Sequence, residues 1–232
     1  MNADLFPLED AIATLSETAD PVKAIEMRKY HKTQRPVLGI SNPTIDAAAT
    51  AWRQEFDLDQ RLHLAIQLWD SGIFEARIAA AKLLAQARIR PDDTAAWELI
   101  KTWVPQFCGW AIADHVCGAG AKRLVWDPSR LDEVEVWTTS DHLWTKRAAL
   151  VMTLPWTKQN NPKPAEIQAR ERILGWAADY TTDHRWFIQK SIGWWLRDLS
   201  RHDPDRTKSF VQEHGDKMKP FAVKEALRKL PK

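Results

Sequence analysis

The chain has 232 residues, 44% of them apolar, a formal net charge of +2 and two cysteines. It is long enough to bury a sizeable core, and two cysteines, Cys108 and Cys117, exclude a disulfide-framed fold and fit a reducing cytoplasm. The net charge hides an asymmetry: residues 1–139 hold 15 basic and 20 acidic side chains, residues 140–232 hold 18 and 11. A basic C-terminal part of this kind is a footprint for a polyanion or a plain solvated surface. Thirteen of the 22 aromatic residues are Trp, more than core filling requires, so some are expected to face a partner.

Taken in chain order, the opening "MNADLFPLEDAIATLSETAD" is acidic and has no basic n-region or apolar run for a signal or a membrane span. "SNPTIDAAA" places Ser, Asn and Pro where a helix starts, and "RLHLAIQLWDSG" and "IFEARIAAAKLLAQARI" carry helical periodicity. "RPDDTAAW" marks another start. In "QFCGWAIADHVCGAG" (Gln106 to Gly120), Asp114 lies four residues after Trp110 within an apolar run, with no Arg or Lys one helical turn away on either side. A buried carboxylate needs compensation, so a local reading leaves Asp114 unexplained. "WDPSRLDE", "SDHLWTKRAAL", "AEIQARERILGWAADY", "WFIQKSIGWWLRDLSR" and "HDPDRTKSF" continue the helical pattern, and "WTKQNNPKPAE" (Trp156 to Glu166) is expected to be the longest linker. No segment alternates like a strand, so the expected class is all-α.

The helices repeat a unit. Phe74-Glu-Ala-Arg77, Trp144-Thr-Lys-Arg147, Phe187-Ile-Gln-Lys190 and Phe221-Ala-Val-Lys224 each put an aromatic three residues before a base. With Asp114 in the same column the steps are 37, 33, 43 and 34 residues, the period of HEAT-like helix pairs. A curved α–α solenoid would line up Arg77, Asp114, Arg147, Lys190 and Lys224 on its concave side. At a repeat step of about 10 Å, four bases could follow a phosphate backbone; they could equally cap or cross-link neighbouring helices.

These segments resemble the HEAT-like-repeat DNA glycosylases of the AlkD type, which excise alkylated purines. The resemblance rests on "NPTIDAAA" after Tyr30 and "VLGI", on Trp110-Ala-Ile-Ala-Asp114, on "SDHLWTKRAAL" with Arg147, and on "WFIQKSIGWWLRDLSRHDPD" from Trp186 to Asp205. It implies one HEAT-like-repeat DNA-binding domain over residues 1–232, holding duplex DNA with alkylated bases in a positively charged groove. By the same resemblance Asp114 is the catalytic carboxylate, Trp110 and Trp194 are groove tryptophans, Arg147 contacts phosphate, Tyr30 is an aromatic contact near the lesion strand, and Arg197 is a basic groove residue. The family is thought to act without extruding the base into a pocket. One departure stands beside Trp110: the best-known form of the motif has a second acid there, where this sequence has Ala111.

The implied chemistry is hydrolysis of the N-glycosidic bond of N3- or N7-alkylated purines. A cationic base is already a good leaving group, so the carboxylate would stabilise the positive charge developing on the sugar and orient water, with water and groove cations as its expected company. No cofactor or metal is expected: Cys108, His115 and Cys117 are too few and too irregular for zinc and read as packing residues. A cytoplasmic monomer is expected. The alternative is a non-catalytic HEAT-repeat protein that binds structured DNA or a protein. Trp194 and Trp195 point about 100° apart on a helix, so one of them is expected to be buried.

Overall fold

The structure, a computed structural model, describes residues 7–230; the first six residues of the acidic N-terminal stretch lie outside that range. Among the described residues there are thirteen α-helices and no strand. The chain divides into two compact units, Met1–Trp126 and Asp127–Lys232. The first contains α1 (Leu8–Ser16), α2 (Pro21–His31), α3 (Asn42–Glu55), α4 (Leu58–Asp70), α5 (Phe74–Leu83), α6 (Thr94–Trp103) and α7 (Trp110–Trp126). The second contains α8 (Leu131–Val136), α9 (Leu143–Met152), α10 (Pro164–Asp179), α11 (Trp186–Leu199), α12 (Pro204–His214) and α13 (Pro220–Leu227).

Local chemistry sets several starts. Ser41 Oγ accepts from the Thr44 amide ahead of α3, Asp203 caps α12 through the Arg206 amide, and Asp57 with Gln60 forms a capping box at α4. Each unit then stacks alternate helices. In the first, α5 packs against its partner α4 and against α3 and α7; in the second, α11 packs against α9 and α13. Equivalent helices of successive pairs therefore touch, which is the α–α repeat arrangement. The column residues fall in the first two turns of α5, α7, α9, α11 and α13.

The linker expectation is corrected. Residues 158–163 are a shorter connection than 32–41 and 84–93, each ten residues long. These longer loops carry few turn signals because buried side chains from other helices hold them. The Glu75 carboxylate, 0% exposed, accepts from the amides of Leu38 at 2.9 Å and Gly39 at 2.8 Å. Gly39 has φ +80°, and a Cβ there would stand 2.1 Å from the Asp20 carbonyl oxygen, so only glycine fits. Arg123, also 0% exposed, donates to the carbonyls of Gln86 and Ala87 and pairs with Asp93.

In the second unit, buried Gln189 donates to the carbonyls of Thr181 and Asp183, both at 3.0 Å, and accepts from the Lys219 amide at 2.8 Å. It fixes the start of α13 against α11. Gly193 lets the two helices approach: a Cβ there would lie 2.9 Å from the Ala222 carbonyl oxygen. Gly193→Ala is expected to destabilise by about 1–3 kcal/mol through overpacking. Gly118→Ala, with nothing within 4 Å of its Cβ, should be neutral or stabilise by up to about 1 kcal/mol. Urea midpoints of the two variants check this, and equal midpoints would refute the close-approach assignment.

Candidate functional site

The first unit gathers one set of side chains. Trp110 opens α7 and Asp114 follows one turn later, both half-buried on the same face. Tyr30 and His31 end α2. The Tyr30 side chain is 71% exposed, and its ring meets that of Trp110 edge-on at 6.0 Å. His31 lies between Trp110, 5.1 Å away, and Phe74, 4.8 Å away. Phe74 is held by its amide, which donates to the Pro36 carbonyl at 2.9 Å. Asp114 is engaged by an interaction within the folded chain, so it does not have water and loosely held cations as its only company.

Beside Asp114 lies a cleft of about 120 Å³, bounded by Met27 and His31 of α2, Ile45 of α3, Phe74 of α5, and Asp114 and His115 of α7. Burial lowers the His31 pKa against the opposing pull of Glu75. His115 is pushed down to about 4 by burial, with Lys82 acting in the same direction and Asp46 against it. Both imidazoles are thus neutral at pH 7. Lys82 and Asp46 are themselves joined at 2.5 Å, tying α5 to α3.

The second unit gathers another set. The Arg147 guanidinium lies 5.8 Å from the Trp144 ring and 6.0 Å from the Trp194 ring. The Trp194 indole N–H donates to Asp198 at 3.2 Å, and Arg197, 6.0 Å over the same ring, pairs with Asp198 and Glu225. Trp195 is the buried member of the tryptophan pair, at 0% exposure. Exposed Lys190 places its Nζ 4.6 Å over Trp186. Rings run on from there: Trp144 against Phe187 at 4.6 Å and Trp186 against Phe221 at 5.7 Å. Lys224 is exposed on α13.

Three of the basic residues expected to meet phosphate have other commitments. Arg77 is 8% exposed, donates through Nε to the Trp69 carbonyl at 3.0 Å and covers the Trp69 ring at 4.3 Å, cross-linking α4 and α5. Burial and the nearby Arg35 pull its pKa down to about 10. Arg147 is 2% exposed, an enclosure that suits holding two indoles better than tracking a backbone. Arg197 shares its charge with two carboxylates. The aromatic-to-base spacing pairs as it reads for Trp144 with Arg147, whereas Lys190 sits on Trp186 and Arg77 on Trp69. His31 and His115 were missed, since histidines without metal spacing carry no local signal; the adjacency of His31 to Tyr30 and of His115 to Asp114 is the only hint.

The fold and these side chains define an α–α repeat protein that presents rings and charges from the first turns of its stacked helices. The family described as DNA alkylation repair enzymes matches residues 11–230, and the chain belongs to that family. Its fold is shared by a solved structure described as a predicted DNA alkylation repair enzyme from Enterococcus faecalis, with a TM-score of 0.77 at 21% identity, covering 92% of this chain and 97% of that one. AlkD2 from Streptococcus mutans gives a TM-score of 0.67 at 18% identity over 97% of this chain and 100% of its own. The smu.31 protein from Streptococcus mutans UA159 gives 0.63 at 18%, with the same coverages. No curated protein matches significantly. No helix among the described residues is long and apolar enough to cross a membrane.

The low pKa of His115 has a stability consequence. Between the ordinary histidine value of about 6.5 and about 4, the unfolded chain binds a proton at this residue that the folded chain refuses. Stability is therefore fully present above the upper value and falls with pH across the window. His115→Gln should remove this component, so the stability difference between wild type and variant should shift by about 1–3 kcal/mol from pH 7 to pH 4. Parallel denaturation curves at both pH values test it; a constant difference would refute it.

Proposed function

We propose that the protein is a DNA glycosylase that releases N3- and N7-alkylated, cationic purines from duplex DNA. The observation that carries this reading is the pairing of Asp114 with Trp110 one turn apart at the start of α7, with Tyr30 against the indole, in a chain of the DNA alkylation repair enzyme family. Alkylation gives the base a positive charge, so departure needs no strong acid. As the bond stretches, positive charge builds on the deoxyribose, and a preorganised carboxylate in a water-poor setting stabilises it. Asp114 takes that role and orients the attacking water. The π face of Trp110 adds a cation–π contribution of about 0.5–2 kcal/mol.

Binding follows from the exposed cations of the second unit. Lys190 and Lys224 point outward and serve as phosphate contacts, while Arg147 and Arg197 hold Trp194 in place. Tyr30, also exposed, offers a ring and a hydroxyl to the damaged strand.

Asp114→Asn keeps the shape and removes the charge. It is expected to slow release of 7-methylguanine or 3-methyladenine from methylated duplex by roughly 10²–10³-fold, with DNA affinity nearly unchanged. Equal release by both proteins would eliminate the carboxylate mechanism, and no release by wild type from any alkylated purine would point to a non-cleaving DNA binder. Lys190→Gln should make the log–log salt dependence of duplex binding shallower by about 0.9. An unchanged slope measured by fluorescence anisotropy would remove Lys190 from the interface.

A further inference from the structure

Another cavity of the first unit has a different make-up. It measures about 470 Å³ and is lined by residues 32–36, by Gly72 ahead of α5 and by Cys108 ahead of α7. It shares no lining residue with the cleft beside Asp114. Lys32, Gln34, Pro36 and Cys108 are exposed, so it opens to solvent. Taking about 30 Å³ for each water, it has the space of about sixteen. A tetrahedral oxyanion fits there together with part of the molecule that carries it.

Charge decides what the cavity can hold. Among the described residues that line it there are two cations, Lys32 and Arg35, and no carboxylate, in the part of the chain where acids outnumber bases. Arg35 is underused. Its Nη1 reaches the Gly72 carbonyl only at 3.5 Å, and its buried Nε has no hydrogen-bond partner among the described residues. A guanidinium offers its N–H groups as a planar fork that matches a phosphate, and a buried donor left unpaired is costly. Burial and then the charge of Arg35 lower the pKa of Arg77, against weaker pulls from Cys108 and Asp70. The positive potential around the cavity is therefore not cancelled. Thr33 Oγ accepts from the Arg35 amide at 3.2 Å, which leaves its own O–H to donate. The loop is also preset, because the Glu75 carboxylate holds the amides of Leu38 and Gly39 further along it. A ligand has little left to order.

We propose that this cavity is a phosphate-binding site, with Arg35 and Lys32 as its cations and Thr33 as a neutral donor. Only the identity of its natural ligand rests on the glycosylase reading. On that reading the phosphate belongs to the backbone of a duplex strand beside Tyr30, which ends the helix that this loop follows; a free phosphate carries the same chemistry. The site gives the first unit a backbone contact of its own. Its residues position the strand and touch no reacting atom.

The cavity carries its own reporter, since Cys108 is exposed and the other cysteine, Cys117, is buried. The full-length protein is treated with dianionic dithiobis(nitrobenzoate) and, separately, with neutral dithiodipyridine. In each case the Cys108 thiolate attacks the reagent's disulfide, forms a mixed disulfide and releases a coloured thiolate or thione. The ratio of the two rates then reads the local charge apart from the thiolate fraction. Arg35→Gln is expected to lower the ratio of anionic to neutral reagent by about three- to tenfold, and Lys32→Gln to lower it in the same direction. Circular dichroism melts confirm that both variants fold. An unmethylated duplex or inorganic phosphate is next added at fixed ionic strength. Protection of Cys108 from both reagents by the duplex, with a log–log salt dependence shallower by about 0.9 in each variant, supports the site with a strand phosphate as its ligand. Protection by inorganic phosphate alone, lost in both variants, supports it with a free phosphate. An unchanged rate ratio in both folded variants, no protection by either ligand, or duplex protection whose salt dependence neither variant alters overturns it. The duplex carries no lesion, so the two readings separate. Base release from methylated DNA without protection keeps the glycosylase and removes this site, and protection without base release does the reverse.

Discussion

The arrangement in the first unit depends on one buried carboxylate. Glu75 is wholly enclosed and gives its two oxygens to the amides of Leu38 and Gly39. Enclosing a carboxylate without partners costs several kcal/mol, and each charge-assisted bond recovers about 1.5–3 kcal/mol. The exchange is favourable only if the loop of residues 32–41 stays where it is. Three further contacts close the same knot: the Asp20 amide on the Leu38 carbonyl, the Phe74 amide on the Pro36 carbonyl, and the bare Cα of Gly39 against the Asp20 backbone. The end of α2 is thereby fixed beside α5, and Tyr30 and His31 arrive against Trp110. Without that knot, Asp114 and Trp110 would still sit on α7 against α5, but the side of their enclosure that Tyr30 and His31 supply would be missing.

The second unit solves a similar problem with neutral chemistry. Gln189 has a donor and an acceptor end, and it uses both, one on the turn before α11 and the other on the turn before α13. Its neighbour Lys190 is consequently held on the outer side of α11 with Trp186 beneath it. An amide loses less on burial than a carboxylate but holds less strongly, and here Gly193 adds what the amide lacks by letting the α11 and α13 backbones approach. In both units a buried polar side chain near the start of a stacked helix, Glu75 of α5 or Gln189 of α11, ties down the backbone packed beside it.

These details show what a sequence can and cannot disclose. The starts of α3 and α12 were legible because capping is local chemistry between residues three apart. The register of Trp110 with Asp114 was legible for the same reason, since helical period fixes neighbours one turn away. The uses of Arg77 and Arg147 were not legible: whether a guanidinium faces water or an indole depends on the helix packed beside it. The same holds for His31, whose partners Phe74 and Trp110 come from two other helices. The loops of residues 32–41 and 84–93 escaped notice because the groups ordering them, Glu75 and Arg123, lie more than 30 residues further along the chain.

The basic character of the C-terminal part also looks different once its pairs are known. Arg170 is joined to Asp203, Arg172 to Asp132 and Glu135, Arg185 to Asp183, and Arg206 to Glu171. Lys146 shares Asp183 with Arg185, and the two cations hold that carboxyl well below its usual range. These arginines stiffen the unit, and their charge is largely offset where it stands. The excess positive charge therefore resides on exposed lysines such as Lys158, Lys163, Lys190, Lys217 and Lys224. A lysine ammonium is a strongly hydrated point charge without the planar fork by which arginine fixes geometry. A surface of such charges attracts a polyanion over about a Debye length and imposes little register on it. Under the glycosylase reading proposed above, such a surface holds a phosphate backbone without fixing its register, and recognition falls to the rings and the carboxylate around Trp110.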